Sequence, residues 1–320
     1  MDKFYLGMDV GATYIRFITY EVCLKKISNI KKKTFERYGD VNLEIDRNIC
    51  KPINSIIEEM VSKNSRLLGI GVSLAAFFER QEGIITTWPN NSNWNNFPIK
   101  SYLERRFRVP VVIEDDANTA ALGEYLVGAG RGRESFAYIT ISTGIGCGII
   151  VNGDLFIGHN GWAADLGHIR VTDENTLCSC GNMGCLQAVA SGPAILKTFM
   201  KTKEYHDMGD KAGFDVKDIK ILAENNVEEA KRVFYDAGLA VGKAIANVVM
   251  LFDIPLIILG GGVMEAEEII FGPIKQGVNQ YLQGKRKISL VRSRIKENNG
   301  VYGALALIDK KINGTMTIHQ

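Results

Sequence analysis

Apolar positions fall into two rhythms along the chain. Short apolar runs closed by Gly, Pro or acidic residues predict strands over 4–10, 14–22, 67–76, 109–114 and 256–259. Residues 135–151 predict a hairpin interrupted by glycines. Longer stretches predict helices over 99–107 and 120–126 and a largely helical 41–62. The clearest period lies in 227–252. There Ala230, Val233, Phe234, Ala237, Val241, Ala244, Ile245, Val248 and Phe252 recur at spacings of three and four. The polar stretch 201–218 reads as a surface loop. No repeat of solenoid period and no low-complexity tract interrupts this order.

Strands alternating with helices, with hairpins inserted, predict an α/β architecture. A chain of 320 residues exceeds what one core usually holds, so two domains are expected, divided near Asn118. Thirty-eight basic against 36 acidic residues leave a net charge of +2. No field of one sign is available to hold nucleic acid or an anionic membrane, and neither is an expected partner. The longest apolar run, near 244–259, is broken by Asn247, Asp253 and Pro255, against about 20 apolar residues for a membrane span. No basic and apolar leader opens the chain, so a cytoplasmic protein is expected.

The cysteines sharpen this picture. Cys23, Cys50 and Cys147 are scattered, whereas Cys178, Cys180 and Cys185 crowd together ten residues and more after His168. In a chain without an export signal such crowding suggests metal before disulfides. Three thiolates and one imidazole would complete a tetrahedral, closed Zn²⁺ site, structural rather than catalytic, and three buried free cysteines are the alternative. Gly181 and Gly184 would supply its turns.

Three glycine loops are candidate phosphate cradles. Asp9-Val10-Gly11-Ala12-Thr13 offers close backbone N–H groups, a hydroxyl donor and a carboxylate for hydrated Mg²⁺. A hairpin turn with an Asx hydrogen bond would show the same residues. Ser142-Thr143-Gly144-Ile145-Gly146 is a second cradle or a bulged strand. Gly260-Gly261-Gly262 is a face for adenine or ribose, or a plain βα turn. Asp116, just past a strand and before a helix, is the candidate general base. Glu114 and Asp116 share a face of the extended chain, and a solvated acidic turn is the alternative.

The ordered set of motifs resembles the ROK family of bacterial sugar kinases, in the actin-like and hexokinase superfamily. Its carriers are Asp9-x-Gly11-x-Thr13, Glu114-Asp115-Asp116-Ala117-Asn118, Thr143-Gly144-x-Gly146, the stretch Gly161 to His168, Cys178-x-Cys180-Gly181-x-x-Gly184-Cys185 and Gly260-Gly261-Gly262. The resemblance implies two RNase H-like (actin-like ATPase) α/β domains around a central cleft. The smaller would hold 1–118 with 303–320, and the larger 119–302 with the zinc knuckle. ATP and Mg²⁺ would be held by Asp9, Gly11, Ala12, Thr13, Thr143, Gly144, Gly146, Gly260, Gly261 and Gly262. A hexose would meet Ala76, Asn90, Asp115, Asp116, Asp165, His168 and Gln187, with Asp116 taking the proton of the 6-hydroxyl. His168 would serve both the zinc, with Cys178, Cys180 and Cys185, and the sugar. Family precedent implies a homodimer.

Six positions, in four places, depart from the family pattern. Ala164-Asp165 stands where Gly-Glu is usual, Gln187 where Glu is, Asp115 where Asn is, and Ala75-Ala76 where Pro-Gly is. These departures put glucose in doubt as substrate. Gly11-Ala12-Thr13-x-Ile15-Arg16-Phe17, Ala76 in place of Gly, and Leu259-Gly260-Gly261-Gly262-Val263-Met264 together resemble the D-allose kinases of the family. Glucokinases, N-acetylmannosamine kinases and β-glucoside kinases are the alternatives. The family also contains sugar-responsive repressors, whose DNA-binding domain would precede the strand that begins here at Phe4. A catalytically dead sugar sensor is the other non-enzyme reading, and the retained Asp116 and glycine loops weigh against it.

Overall fold

The computed structural model describes residues 1–89, 91–209 and 211–318. It divides into two units, residues 1–132 with 297–320 and residues 133–296. The first opens on β1 (Asp2–Val10) and β2 (Tyr14–Glu21), an antiparallel pair extended by β3 (Lys26–Ile27) and β4 (Lys31–Thr34). Two helices, α1 (Val41–Ile45) and α2 (Lys51–Ser62), continue through a π turn at Asp46–Cys50. Then β5 (Ser65–Leu74) runs parallel to β1. A hairpin of β6 (Phe77–Glu79) and β7 (Ile84–Thr87) precedes α3 (Ile99–Phe107). β8 (Val111–Asp115), parallel to β5, passes directly into α4 (Asp116–Val127). The sheet order is β3-β2-β1-β5-β8, with β4 against β2. Both faces of β1 and β5 are covered, so their sequences read as continuous apolar runs rather than alternating ones.

The second unit has a mixed sheet with order β11-β10-β9-β12-β13. Its strands are β9 (Phe136–Ile141), β10 (Ile145–Val151), β11 (Asp154–Leu155), β12 (Leu256–Gly260) and β13 (Ser289–Arg292). Between β11 and β12 lie α5 (Leu186–Ala190), α6 (Gly192–Phe199), α7 (Lys203–Asp207), α8 (Val216–Glu224) and α9 (Glu228–Phe252). α10 (Glu267–Leu282) links β12 to β13. The period read in 227–252 is the buried stripe of α9, where Phe234, Val241 and Ile245 are fully covered. α9 is long and apolar enough to cross a membrane, but 61% of the qualifying stretch is buried inside the protein.

The chain then returns to the first unit as α11 (Asn299–Asn313). This helix lies against β1, β5 and α4. The approach to α4 is so close that a Cβ on Gly303 would stand 1.6 Å from the Thr119 carbonyl oxygen. That contact is why α4 belongs with the first unit, and why the division falls after Gly132 rather than at Asn118.

Two other elements differ from the sequence reading. α4 begins at Asp116 because the Asp115 carboxylate caps it, accepting from the Asn118 N–H. The stretch read as a loop over 201–218 contains α7 and the start of α8. Thr202 caps α7, and Asp215 with Asp218 forms a reciprocal capping box on α8. The polar residues that looked like loop are helix starts.

Candidate active site

In the first unit the carboxyl ends of three adjacent parallel strands gather polar groups, the usual place for a ligand in such sheets. Asp9 on β1 stands in register with Ser73 on β5, and Leu74 with Asp115 on β8. Gly11 N–H bonds the Tyr14 carbonyl at 3.0 Å, closing the tight turn that carries Ala12 and exposed Thr13. Burial pushes the Asp9 carboxyl up to about 6, against the Ser73 hydroxyl and the Arg16 guanidinium, and the charge of Asp116 adds to the rise. Arg16 Nη1 lies 3.3 Å from Asp9 Oδ2, and its other Nη reaches Glu297. Thr119 Oγ1 bonds Ser73 Oγ at 2.8 Å. Ser73 and Thr119 were not singled out from sequence, and Arg16 only within a stretch resembling the D-allose kinases; the parallel register that joins β5 to β1 is what reveals Ser73.

The three consecutive acids have separate fates. Glu114 is buried, and Arg80, Asn118 Nδ2 and the Asp115 N–H donate to it. Asp115 accepts from Asn118 N at 2.8 Å, Asn118 Nδ2 at 2.6 Å and Arg80 Nη2 at 3.2 Å. Burial and then the neighbouring Glu114 push its carboxyl well above the ordinary range. Asp116 opens α4 and is exposed, with no side-chain partner among the described residues. The protein around it thins its solvation and raises its carboxyl, opposed by the Ala117 N–H. The two observations agree for a group in a recess, where water touches the oxygens but cannot surround them.

Ala76 is half-buried just beyond β5. Asn90 lies outside the described residues. Beyond it, the buried carboxylate of Glu44 accepts from Asn91 Nδ2 and Trp94 Nε1, both at 2.7 Å. Burial alone would raise Glu44, but these donors and the Tyr38 and Gly39 N–H groups lower it.

In the second unit, Thr143 and Gly144 form the turn between β9 and β10, and the Ser142 N–H bonds the Gly144 carbonyl at 2.8 Å. Gly146 lies on β10 just past that turn. Gln187 is drawn to the same turn. Its Oε1 accepts from the Ile145 N–H at 3.1 Å, and its Nε2 reaches Ser179 Oγ at 3.4 Å. The three glycines after β12 divide their tasks. A Cβ on Gly260 would meet the Tyr138 hydroxyl at 2.3 Å, and one on Gly261, at φ +91°, the Ile141 backbone. Gly262 meets nothing closer than Ser142 Oγ at 3.8 Å. It opens onto a cavity of about 340 Å³, lined by Ser142, Thr143, Leu196, Val216, Phe234 and Val263. An apolar wall beside hydroxyls and bare backbone suits a flat base with a phosphate tail.

Asp165 is exposed at the entry to a short turn, Leu166–His168. Ala164 before it has φ +67°, a left-handed conformation that glycine adopts without strain. The ligating atoms of His168, Cys178, Cys180 and Cys185 all lie within 4.8 Å of one another. Cys178 Sγ is 3.5 Å from His168 Nδ1, and Cys180 Sγ is 3.7 Å from Cys185 Sγ. With zinc–sulfur bonds of about 2.3 Å and zinc–nitrogen bonds of about 2.0 Å, the edges of a tetrahedron come to about 3.5–3.8 Å. The Asn182 N–H lowers the Cys180 thiol to about 7, while burial and the other thiols hold Cys185 up at about 12. Gly181 and Gly184 turn the knuckle at positive φ.

The chain as a whole is similar to known proteins. A glucokinase of Thermotoga maritima is 31% identical over 324 residues, 97% of this chain and 98% of that one. A xylose repressor of Bacillus subtilis is 28% identical over 309 residues, 95% of this chain and 76% of that one. A solved structure, a ROK family glucokinase from Streptomyces griseus in complex with glucose and AMPPNP, is 30% identical with a TM-score of 0.75. It covers 94% of this chain and 98% of that one. The ROK family description matches residues 5–311, nearly the whole chain, and with these likenesses the chain belongs to the ROK family.

Proposed function

We propose that this chain is a cytoplasmic, ATP-dependent hexose kinase that phosphorylates the 6-hydroxyl of a free sugar. The observation that carries the reading is Asp116. At the ends of β1, β5 and β8 it is the acid left without a side-chain partner, while its neighbours are bonded. A raised carboxyl with access to water suits a general base, which takes the hydroxyl proton as the oxygen attacks phosphorus.

Nucleotide binding is supported by the 340 Å³ cavity beside Gly262 and Thr143 and by the AMPPNP complex of the S. griseus relative. Gly11, Ala12, Thr13, Thr143, Gly144, Gly146 and Gly260 to Gly262 would hold phosphates and base. Asp9, costly to ionise where it stands, is the group that would hold hydrated Mg²⁺, which supplies charge neutralisation on the phosphates. The knuckle fits Zn²⁺ in a closed structural role. His168 turns Nδ1 to Cys178, which leaves Nε2 for a sugar oxygen. A homodimer is expected on the family resemblance.

The finer reading is D-allose. Asp165, one methylene shorter than glutamate, leaves room for a hydroxyl turned differently at C2 or C3, and Gln187 donates where glutamate cannot. The test is a screen of ATP-dependent turnover over aldohexoses, N-acetylhexosamines and β-glucosides. D-Allose should exceed glucose by at least about tenfold in kcat/KM, and Asp165→Glu with Gln187→Glu should shift the ratio toward glucose. A wild type that prefers glucose, with a ratio unmoved by the double change, overturns the D-allose assignment. The likeness to the B. subtilis xylose repressor favours a second reading, a sugar-responsive regulator. Sugar binding without turnover of any sugar would select it.

A further inference from the structure

We propose that Arg80 is a positioning residue for the acidic corner between β8 and α4, setting how Asp115 faces a bound sugar. Arg80 sits in the turn of the β6–β7 hairpin, and that turn is stiff. The Glu79 carboxylate accepts the N–H of Gln81 at 2.9 Å and of Glu82 at 2.6 Å. Lys100 Nζ bonds the Gln81 carbonyl at 2.8 Å, and the Arg80 guanidinium lies 5.5 Å above the ring of buried Phe78. From this support one nitrogen bonds Glu114 and the other bonds Asp115 Oδ2 at 3.2 Å.

Charge explains why a rigid cation stands there. Glu114, Asp115 and Asp116 are three carboxylates in a row, and Arg80 is the cation bonded to two of them. Its planar fork reaches both through separate nitrogens held in a fixed plane, a geometry that the single nitrogen of an ammonium does not reproduce. Without it, among the described residues buried Glu114 keeps the Asn118 and Asp115 donors, both on its other oxygen. Asp115 is then left to settle its position against a like charge. Asn118, shared by both carboxylates, moves with them. The cavity beside Gly262 and Thr143 is lined within residues 142–266, so loss of Arg80 is expected to weaken sugar binding and spare the nucleotide.

This inference rests on Asp115 and Asp116 being sugar-site residues. Its test is calorimetric titration of the full chain with D-allose, D-glucose and AMPPNP, using wild type, Arg80→Gln, Arg80→Lys and Arg80→Gln with Glu114→Gln, each melted in parallel. Arg80→Gln should lose at least about tenfold in sugar affinity, with AMPPNP affinity held within about twofold. Arg80→Lys should be intermediate. The double variant should recover part of the loss, because an amide at 114 no longer needs a cation. Unchanged sugar affinity in Arg80→Gln, or sugar and AMPPNP affinities falling together with the melting temperature in every variant, overturns the inference while leaving the kinase reading intact. If neither sugar binds wild type, the reading of the sugar site fails and this inference fails with it.

Discussion

The two units present their candidate functional residues by opposite means. In the first, the chemistry rests on side chains that are present, and nearly every one is engaged: Asp9 by Arg16 and Ser73, Glu114 and Asp115 by Arg80 and Asn118. Asp116 stands out by what it lacks. In the second unit the working surface around Gly262 is made by missing side chains, and its concentrated side-chain chemistry is the knuckle. One unit is therefore expected to be sensitive to deletion and the other to addition, with the Cys and His cluster as the exception.

That exception carries the largest expected effect. Freshly purified protein should hold about one zinc per chain, and Cys178→Ser should lose it together with at least about 5 °C of melting temperature, because binding and folding are coupled at a closed site. Metal analysis and a thermal melt check both. Protein purified without chelator and free of zinc would remove the exception and the assignment of these four ligands.

Deletion is sharpest at Asp116. Asp116→Asn should lower kcat by at least about 10²-fold with sugar affinity nearly unchanged. Glu114→Gln, which alters a bonded structural acid, should be milder on kcat. The reverse ranking in steady-state kinetics would move the base to Glu114. The pH dependence follows from the raised carboxyl. The base must be ionised, so the acid limb of kcat/KM should lie above the ordinary carboxylate range and vanish in Asp116→Asn. Stability runs the other way. The native state holds this proton more tightly than the unfolded chain, so its contribution is present at low pH and lost as pH rises through the raised value. At neutral pH Asp116→Asn should melt no lower than wild type.

Addition is sharpest at the glycines after β12. Gly262→Val enters open space, so the fold should survive while AMPPNP affinity falls by at least about tenfold, as read by calorimetry. Gly261→Val, driven into the Ile141 backbone at positive φ, should instead destabilise the unit by about 3 kcal/mol or more. Equal melting temperatures for the two variants would erase the division of labour drawn among these glycines. The smallest effect belongs to Ala164→Gly. Relief of the left-handed strain should raise stability by about 1 kcal/mol or less in a denaturant titration.

What the sequence disclosed was local. The period of α9 and the bounds of α3 are written in nearest-neighbour spacing. The knuckle was legible because its three cysteines and the glycines that turn it lie within eight positions. Asp116 was legible as a candidate, but not why it differs from Glu114 and Asp115. That distinction needs Arg80, thirty-odd residues away in sequence and placed by a hairpin turn. Ser73 and Glu44 were silent for the same reason, since a buried polar group shows its role only through partners that the fold supplies. The capped starts of α7 and α8 were misread because the residues that cap helices are also those that make loops.

The return of α11 has a consequence for how the molecule is made. The second unit is one uninterrupted segment, so it holds all of its own sheet once residue 296 has left the ribosome. The first unit is translated earlier yet finishes later. Its sheet lacks the covering helix, and α4 lacks the partner fitted against Gly303, until α11 emerges. Domains that fold as units during synthesis usually do so from the N-terminus onward. Here the expected order is inverted: the inserted half can close first, and the half bearing Asp116 lacks the cover of α11 through the whole translation of the other.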